Sequence, residues 1–396
     1  VAIGDIGATG GVVHIGDEAM FAEFVAQARM RSVEVVGVSA DPSETRARHG
    51  VSAIRRIGFD FRGPDARAAM DERMARVLAA VDDPTVLDPD DPARDVIDAI
   101  RGADGLAIAG GGNLASNWPM HIRERSTLAA VARKLGKPIV ISGQTLGPEL
   151  TDGDSAMLGE LLRTARVVGV REQPSHELAL SLGVDPAKLQ RTVDDATFVA
   201  DDGAAEPRAA YCLVSFSLHL AGHPRDGFVA LAAALLDELV STTGLEVVFF
   251  AHFGSTDPAV VTGDSVIHRE IATAMTQPSA VVAPSTVAAA AGLARNAAFV
   301  VSSRYHPVVF SAAAGVPTLA ISVDAYTAIK LRGALATGGQ RSVVALDQLD
   351  REGGSELVRD LWSRRAQIGA VADERRGSNL ASSGAWWDRV FSELGA

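Results

Sequence analysis

Short apolar runs that close on glycine or small polar residues recur along this chain, and each gives way to a stretch with helical spacing. Residues 1–6 read as a strand and run into G-A-T-G-G. From Asp17 onward, Phe21, Phe24, Val25 and Ala28 fall on one helical face. Further strands are expected at 33–38, 105–109, 138–142 and 167–170, with helices between them. Strands that are continuous apolar runs alternating with helices predict a mostly parallel sheet covered on both faces. The stretch 201–210, D-D-G-A-A-E-P-R-A-A, reads as a linker. After it the alternation restarts, with strands expected at 211–216, 246–251, 298–302, 318–322 and 342–345 and a helix over 228–240. The pattern therefore predicts an α/β fold of two Rossmann-like domains, 1–203 and 204–377. A final segment, 378–396, is expected to pack its helix back on the first domain. Two such domains would face a cleft, and ligands in these folds bind beyond the carboxyl ends of the strands.

Composition narrows the function. A net charge of −12 over 396 residues argues against a general nucleic-acid binder. The single cysteine, Cys212, excludes an intrachain disulfide and a cysteine-based zinc site. It lies in the apolar run Y-C-L-V-S-F and reads as a small buried hydrophobe. The longest apolar stretch, 228–240, contains Asp237 and Glu238 and is shorter than the roughly 20 residues a bilayer demands. No integral membrane segment is expected, and a cytoplasmic location fits the cysteine usage. The acidic stretch 82–95 is broken by prolines and reads as a solvated loop that ends by capping a helix near Ala93.

Chemistry-bearing residues gather at the expected strand ends. H-I-G-D-E-A, at 14–19, puts Asp17 and Glu18 at a helix start. Asp17 reads equally as a general base and as an N-cap, and His14 as a ligand contact or a loop cap. Gly110, Gly111, Gly112 and Asn113 follow a strand, where successive N–H groups surround an anion or make a tight turn. S-G-Q-T-L-G-P, at 142–148, suits a ligand-facing loop. Arg171, in V-R-E-Q-P-S, is placed either to grip phosphate or to pair with Glu172 or another acid. Asp194 and Asp195 read as a turn or cap. The most informative segment is V-V-S-S-R-Y-H-P-V-V-F-S-A-A-A-G-V-P-T-L-A-I-S. A strand there runs into Arg304 and His306, which open a helix of small residues. Guanidinium, imidazole and helix N–H groups would converge there, able to hold a dianion and move a proton.

The ordered set H-I-G-D-E-A, G-G-G-N-L, S-G-Q-T-L-G-P, V-R-E-Q-P-S and S-S-R-Y-H-P resembles the polysaccharide pyruvyl transferase family over roughly residues 10–330. The resemblance implies the two-domain architecture of GT-B-type glycosyltransferases. It implies transfer of pyruvate from phosphoenolpyruvate to a sugar, making a cyclic ketal and releasing phosphate. By that likeness Arg171, Arg304 and Lys330, with Gly111 and Gly112, contact the donor, and His306 protonates its methylene carbon. Asp17 would serve as base or acceptor contact, with His14, Glu18 and Asn113 on the acceptor side. Phosphoenolpyruvate is then a co-substrate, and no cofactor or metal is implied. The partners implied are the donor and a glycan acceptor, with no nucleic acid; homo-oligomerisation stays open. The sequence departs from the family pattern where His14 and Ile15 replace the usual Asn before Gly-Asp-Glu, and A-H-F-G-S-T-D-P around His252 matches a family loop only in part. A nucleotide-sugar glycosyltransferase and a non-catalytic sugar-binding relative are the alternatives.

Overall fold

The computed structural model describes residues 1–8, 10–60, 62–63, 65–201 and 210–395. The chain divides into two units. Unit 1 is Val1–Ala8, Met20–Asp195 and Ser382–Ala396, and unit 2 is Thr9–Ala19 and Ala196–Ala381. Residues 202–209 of the expected linker, and the expected boundary at 203, lie outside the described residues. The short segment Thr9–Ala19, expected within the first domain, groups with unit 2.

In chain order the strands are β1 (Ala2–Ile3), β2 (Val12–His14), β3 (Val36–Ser39), β4 (Ser52–Arg55), β5 (Leu106–Ile108), β6 (Gly111–Leu114), β7 (Ile139–Leu146) and β8 (Val167–Val170). They continue with β9 (Leu189–Arg191), β10 (Tyr211–Ser215), β11 (Glu246–Phe250), β12 (Phe253–Ser255), β13 (Ser279–Val282), β14 (Phe299–Ser302), β15 (Thr318–Ser322) and β16 (Val343–Ala345). Unit 1 holds a parallel sheet in the order β4-β3-β1-β5-β7-β8-β9, with β6 added beside β7. Unit 2 holds a parallel sheet in the order β13-β11-β10-β14-β15-β16, and an antiparallel ribbon of β2 with β12.

Both faces of the unit 1 sheet are covered, as continuous apolar strands require. Ile108, Ile141 and Val168 pack into one core, while Ala107, Val140 and Val167 pack into another with Phe21, Phe24, Trp386 and Trp387. The alternation is the period-2 signature of a pleated strand. The last helix runs over Arg365–Leu394, and its residues from Ser382 onward belong to unit 1. Trp386 lies flat on Gly169 of β8, where a Cβ would stand 2.4 Å from the indole. Its Nε1 donates to Ser142 Oγ at 2.9 Å.

Two stretches read as ligand-facing loops are strands instead. Residues 142–146 continue β7, every residue of which is buried. Gly111–Leu114 form β6. Polar groups on β7 make internal hydrogen bonds. Gln144 Nε2 donates to Ala109 O at 2.6 Å and to Ser142 O at 2.9 Å, and Ser142 Oγ to Asp195 at 2.8 Å. Gly143 is required there, because it takes φ +53° and a Cβ would meet the Asp195 carboxyl at 2.6 Å. The acidic stretch ends as read, with Asp91 accepting from Ala93 N at the start of helix Pro92–Gly102. Cys212 is buried among apolar neighbours in β10, and burial raises its pKa, so it stays a thiol. Among the described residues no helix is long and apolar enough to cross a membrane.

Candidate functional site

In unit 2, strand β14 delivers Arg304 to the N-cap of helix Tyr305–Ala313 and His306 into its first turn. β14 and β10 pair so that Ser302 lies opposite Ser215 at the carboxyl edge of the sheet. The turn is fixed locally: Ser302 Oγ accepts from Arg304 N at 2.9 Å and donates to Ser215 O at 2.8 Å. The two serines before Arg304 thus tie the strand end down before the helix begins. Ser303 Oγ holds the segment just past β10 by accepting from Ser217 N at 2.8 Å.

The N-terminal motif reaches this point through the β2–β12 ribbon, in which His14 pairs with Phe253. Ile15 N donates to His252 O at 3.0 Å, which starts helix Ile15–Met30 beside the ribbon. The imidazole of His306 lies directly on Gly16, where a Cβ would stand 1.8 Å from its Nδ1. H-I-G-D-E-A and S-S-R-Y-H-P are therefore one local structure, and the glycine between Ile15 and Asp17 is the floor for the His306 ring.

Around that contact the side chains fall into two shells of polarity. His14 is half exposed, stacks on Phe253 at 4.1 Å between ring centroids, and stands 3.8 Å from the Asp17 carboxylate. Arg304 lies over the same Phe253 ring, 5.6 Å from its centroid. Beneath it Asp264, fully buried, holds the guanidinium with two bonds, Nε to Oδ2 at 2.8 Å and Nη2 to Oδ1 at 2.5 Å. Asp264 also accepts from Phe253 N at 3.0 Å, so ribbon and arginine share one carboxylate. Lys330 lies over Tyr305 and Tyr326, with its Nζ 3.2 Å from the Tyr326 hydroxyl. Glu18, expected on the acceptor side, is 1% exposed.

Two buried histidines complete the unit 2 group. His252 meets Ser215 Oγ through Nδ1 at 3.1 Å, and His268 Nε2 accepts from Phe216 N at 2.9 Å. Burial, with the charges of His306 and Arg304 nearby, holds His252 well below the usual histidine pKa. Burial pulls His268 down to about 4. Both are neutral near pH 7.

In unit 1, Arg171 stands at the end of β8 but is not presented to solvent. Its Nη1 donates to Asp194 at 2.5 Å and its Nη2 to Thr145 Oγ1 at 2.6 Å, and Glu172 lies 3.5 Å from Nε. The arrangement is the ion pair that sequence chemistry weighed against an anion grip. Asp195, next along, is pushed up to about 8 by burial and by the neighbouring Asp194 charge. It is a neutral carboxyl at pH 7, wedged against Gly143 and Gly110. Gly111, Gly112 and Asn113 also lie in unit 1, on β6.

Phe253 and Asp264 were not singled out by sequence reasoning. An aspartate following Gly263 at a helix start reads as an ordinary first-turn acid, and Phe253 as a hydrophobe. The signal that could have found them is the partial family match around His252, which covers Phe253 and ends a few residues before Asp264.

Parallel sheets in two units, each with a chemistry-bearing group at its strand ends, define the two-domain GT-B type. Solved structures with this fold agree. Crystal structures of Arabidopsis thaliana UGT89C1 complexed with quercetin (TM-score 0.60, 11% identity, covering 99% of this chain and 98% of that one) and of Anabaena Alr3699/HepE in complex with UDP and glucose (0.58, 11%, 100% and 98%) are similar. So is that of CalG4, the calicheamicin glycosyltransferase (0.56, 16%, 100% and 98%). At these identities the likeness establishes the fold. No curated protein matches the chain. The chain belongs to the polysaccharide pyruvyl transferase family, whose model matches residues 14–325. The matched span begins at His14 and takes in Arg304 and His306; Lys330 lies just beyond it.

Proposed function

We propose that this protein transfers pyruvate from phosphoenolpyruvate to a saccharide, forming a cyclic ketal and releasing inorganic phosphate. The observation that carries the reading is the seating of His306 on Gly16 beside Arg304, which joins two motifs of the matched family in one local group.

The residue types suit the chemistry. Phosphoenolpyruvate is polyanionic, and Arg304, Lys330 and the N-terminus of helix Tyr305–Ala313 supply positive potential in unit 2. Protonated His306 gives its proton to C3 of the donor, which makes C2 electrophilic. A saccharide hydroxyl oxygen bonds to C2 and its proton passes to Asp17, which stands 3.8 Å from His14 on the same rim. A second hydroxyl of the same sugar then bonds to C2 as the C2–O bond to phosphate breaks, and its proton leaves with phosphate. A positioned acid contributes about 10²–10⁴-fold to such a step. Arg171 stays outside the donor grip in this scheme, because Asp194 and Thr145 already engage its guanidinium.

Calorimetric titration with phosphoenolpyruvate and a phosphate-release assay test the assignment. Arg304→Ala is expected to lose donor binding. His306→Ala is expected to keep most of it while turnover falls by about 10²-fold or more. Wild-type turnover in both variants would sink the assignment.

A further inference from the structure

The amino ends of the unit 2 strands border a cavity that the donor scheme does not use. Helix Ala325–Thr337 ends at Gly338, and the chain then turns through Gly339 and Gln340. Gln340 is buried and tied to the start of β15. Its Oε1 accepts from Thr318 N at 3.0 Å and its Nε2 donates to Val316 O at 2.8 Å. Arg341 and Ser342 follow and lead into β16. The strands of this sheet are parallel, so Arg341 stands at the opposite edge from Arg304, which follows the carboxyl end of β14.

The cavity has a volume of about 200 Å³. That is below the roughly 300–1,000 Å³ of drug-sized sites, so it suits a small ligand. Its lining is of two kinds. Leu361, Ile368 and Val371, from helix Arg351–Ser363 and the last helix, are apolar, while Arg341, Arg364 and Gln367 supply N–H donors. The Arg341 guanidinium has no hydrogen-bond or ion-pair partner among the described residues. Arg364 gives Nε to Asp360 Oδ1 at 3.0 Å and Nη2 to Oδ2, which leaves Nη1. Arg375 borders the same place. A Cβ on Gly339 would stand 3.1 Å from its Nε and 2.6 Å from Val371 Cγ1. Among the described residues no carboxylate lines the cavity. Three guanidinia against the one carboxylate of Asp360 leave an excess of positive charge, in a chain whose net charge is −12. Like charges gathered in this way repel, and an anion between them removes the repulsion.

We infer that Arg341, Arg364, Arg375 and Gln367 hold the phosphate of a small phosphate monoester, whose apolar body rests on Leu361, Ile368 and Val371. Charge selects phosphate. A monoester carries about −1.5 to −2 near pH 7, against a single charge on a carboxylate, and guanidinium forks match its oxygens in pairs. The apolar lining selects an ester over inorganic phosphate. The site binds; no bond is made or broken there. It rests on unit 2 alone and does not depend on the use of phosphoenolpyruvate. Its occupant would join the loop after helix Ala325–Thr337 to the junction of the last two helices, so binding is expected to raise Tm.

The test is calorimetric titration of phenyl phosphate, inorganic phosphate and phenol into the wild type and into Arg341→Gln, Arg269→Gln and Arg304→Ala, with Tm read on the same samples. The wild type is expected to bind phenyl phosphate more tightly than inorganic phosphate, to ignore phenol, and to gain Tm with the ester. Arg341→Gln should weaken phenyl phosphate binding by about tenfold or more, the size of a lost hydrogen bond between charged groups. Arg341 is exposed and its guanidinium is unpartnered, so the variant loses no packing. Arg269→Gln removes the same charge from helix Asp264–Ala274, which packs on β11 and β13 at the other end of the sheet, and should bind as the wild type does. Arg304→Ala should keep the binding that depends on Arg341. No phenyl phosphate bound by the wild type, equal affinity in the wild type and Arg341→Gln, or equal loss in Arg341→Gln and Arg269→Gln would overturn the site. Inorganic phosphate bound as tightly as phenyl phosphate would overturn the choice of an ester. Binding kept in Arg341→Gln and lost in Arg304→Ala would assign the anion to the donor site and also overturn the inference.

Discussion

Arg304 is useful as an anion grip only if it is held still, and Asp264 holds it. The carboxylate is fully buried while the guanidinium is a quarter exposed, so the pair is anchored on one side and open on the other. Asp264 also ties the Phe253 backbone to the same point. Removing one partner of a buried pair costs about 3–5 kcal/mol, and the exposure of Arg304 places this case below that range. Asp264→Ala is expected to weaken phosphoenolpyruvate binding by at least about tenfold. Asp264→Asn, which keeps one acceptor oxygen, should retain more of it. Donor affinity unchanged in Asp264→Ala, measured by calorimetry, would show that Arg304 needs no such support. Arg304 and His306 could be read from the sequence, because a guanidinium and an imidazole at a strand-to-helix junction are unusual in one place. Asp264 could not, because its role depends on a partner 40 residues away.

At the scale of elements, the strand–helix alternation was legible, and so was the restart after residue 210. What failed was the reading of strand ends. Ser142, Gln144 and Thr145 look like loop residues because they are polar, yet they occupy a fully buried strand. Their hydrogen-bond partners, Ala109, Asp195, Arg171 and Glu172, come from other elements, and a local pattern cannot show them. The H-I-G-D-E-A motif gives the opposite case. Its residues were marked as functional, but the reason for Gly16 emerged only when His306 was seen to lie on it. Gly16→Ala should therefore displace the imidazole. A misplacement of about 1 Å costs about 10²-fold in rate, so turnover should fall by that order while the donor still binds Arg304. Wild-type turnover in Gly16→Ala would mean that the ring is not held where the structure puts it.

For the whole molecule, each unit carries its own titrating group, and the two change stability with pH in opposite directions. Asp195 of unit 1 is raised to about 8, so the folded state binds its proton more tightly than the unfolded chain does. Its contribution is present at low pH and is lost as pH rises from the ordinary carboxylate range through about 8. His268 of unit 2 is lowered to about 4, so its contribution is present above the ordinary histidine pKa and is lost as pH falls through about 4. Asp195→Asn should remove the fall in Tm that Asp195 contributes between the ordinary carboxylate range and about pH 8. A Tm profile unchanged over that window would show that Asp195 is ionised in the folded protein. Neither titration is legible in the sequence, where Asp195 reads as a turn or cap, because burial and the neighbouring Asp194 charge create the Asp195 shift, and burial the His268 shift.

In the proposed function, the group built on Gly16, Arg304 and His306 uses phosphoenolpyruvate to pyruvylate a saccharide. Incubating the protein with phosphoenolpyruvate and a panel of hexosides and lipid-linked sugars, and following phosphate release with mass analysis of the sugars, tests it directly. Phosphate released in step with a pyruvate ketal on one acceptor, and lost in His306→Ala, is the predicted result. No phosphate from phosphoenolpyruvate with any acceptor, together with nucleotide released from a nucleotide sugar, would contradict it.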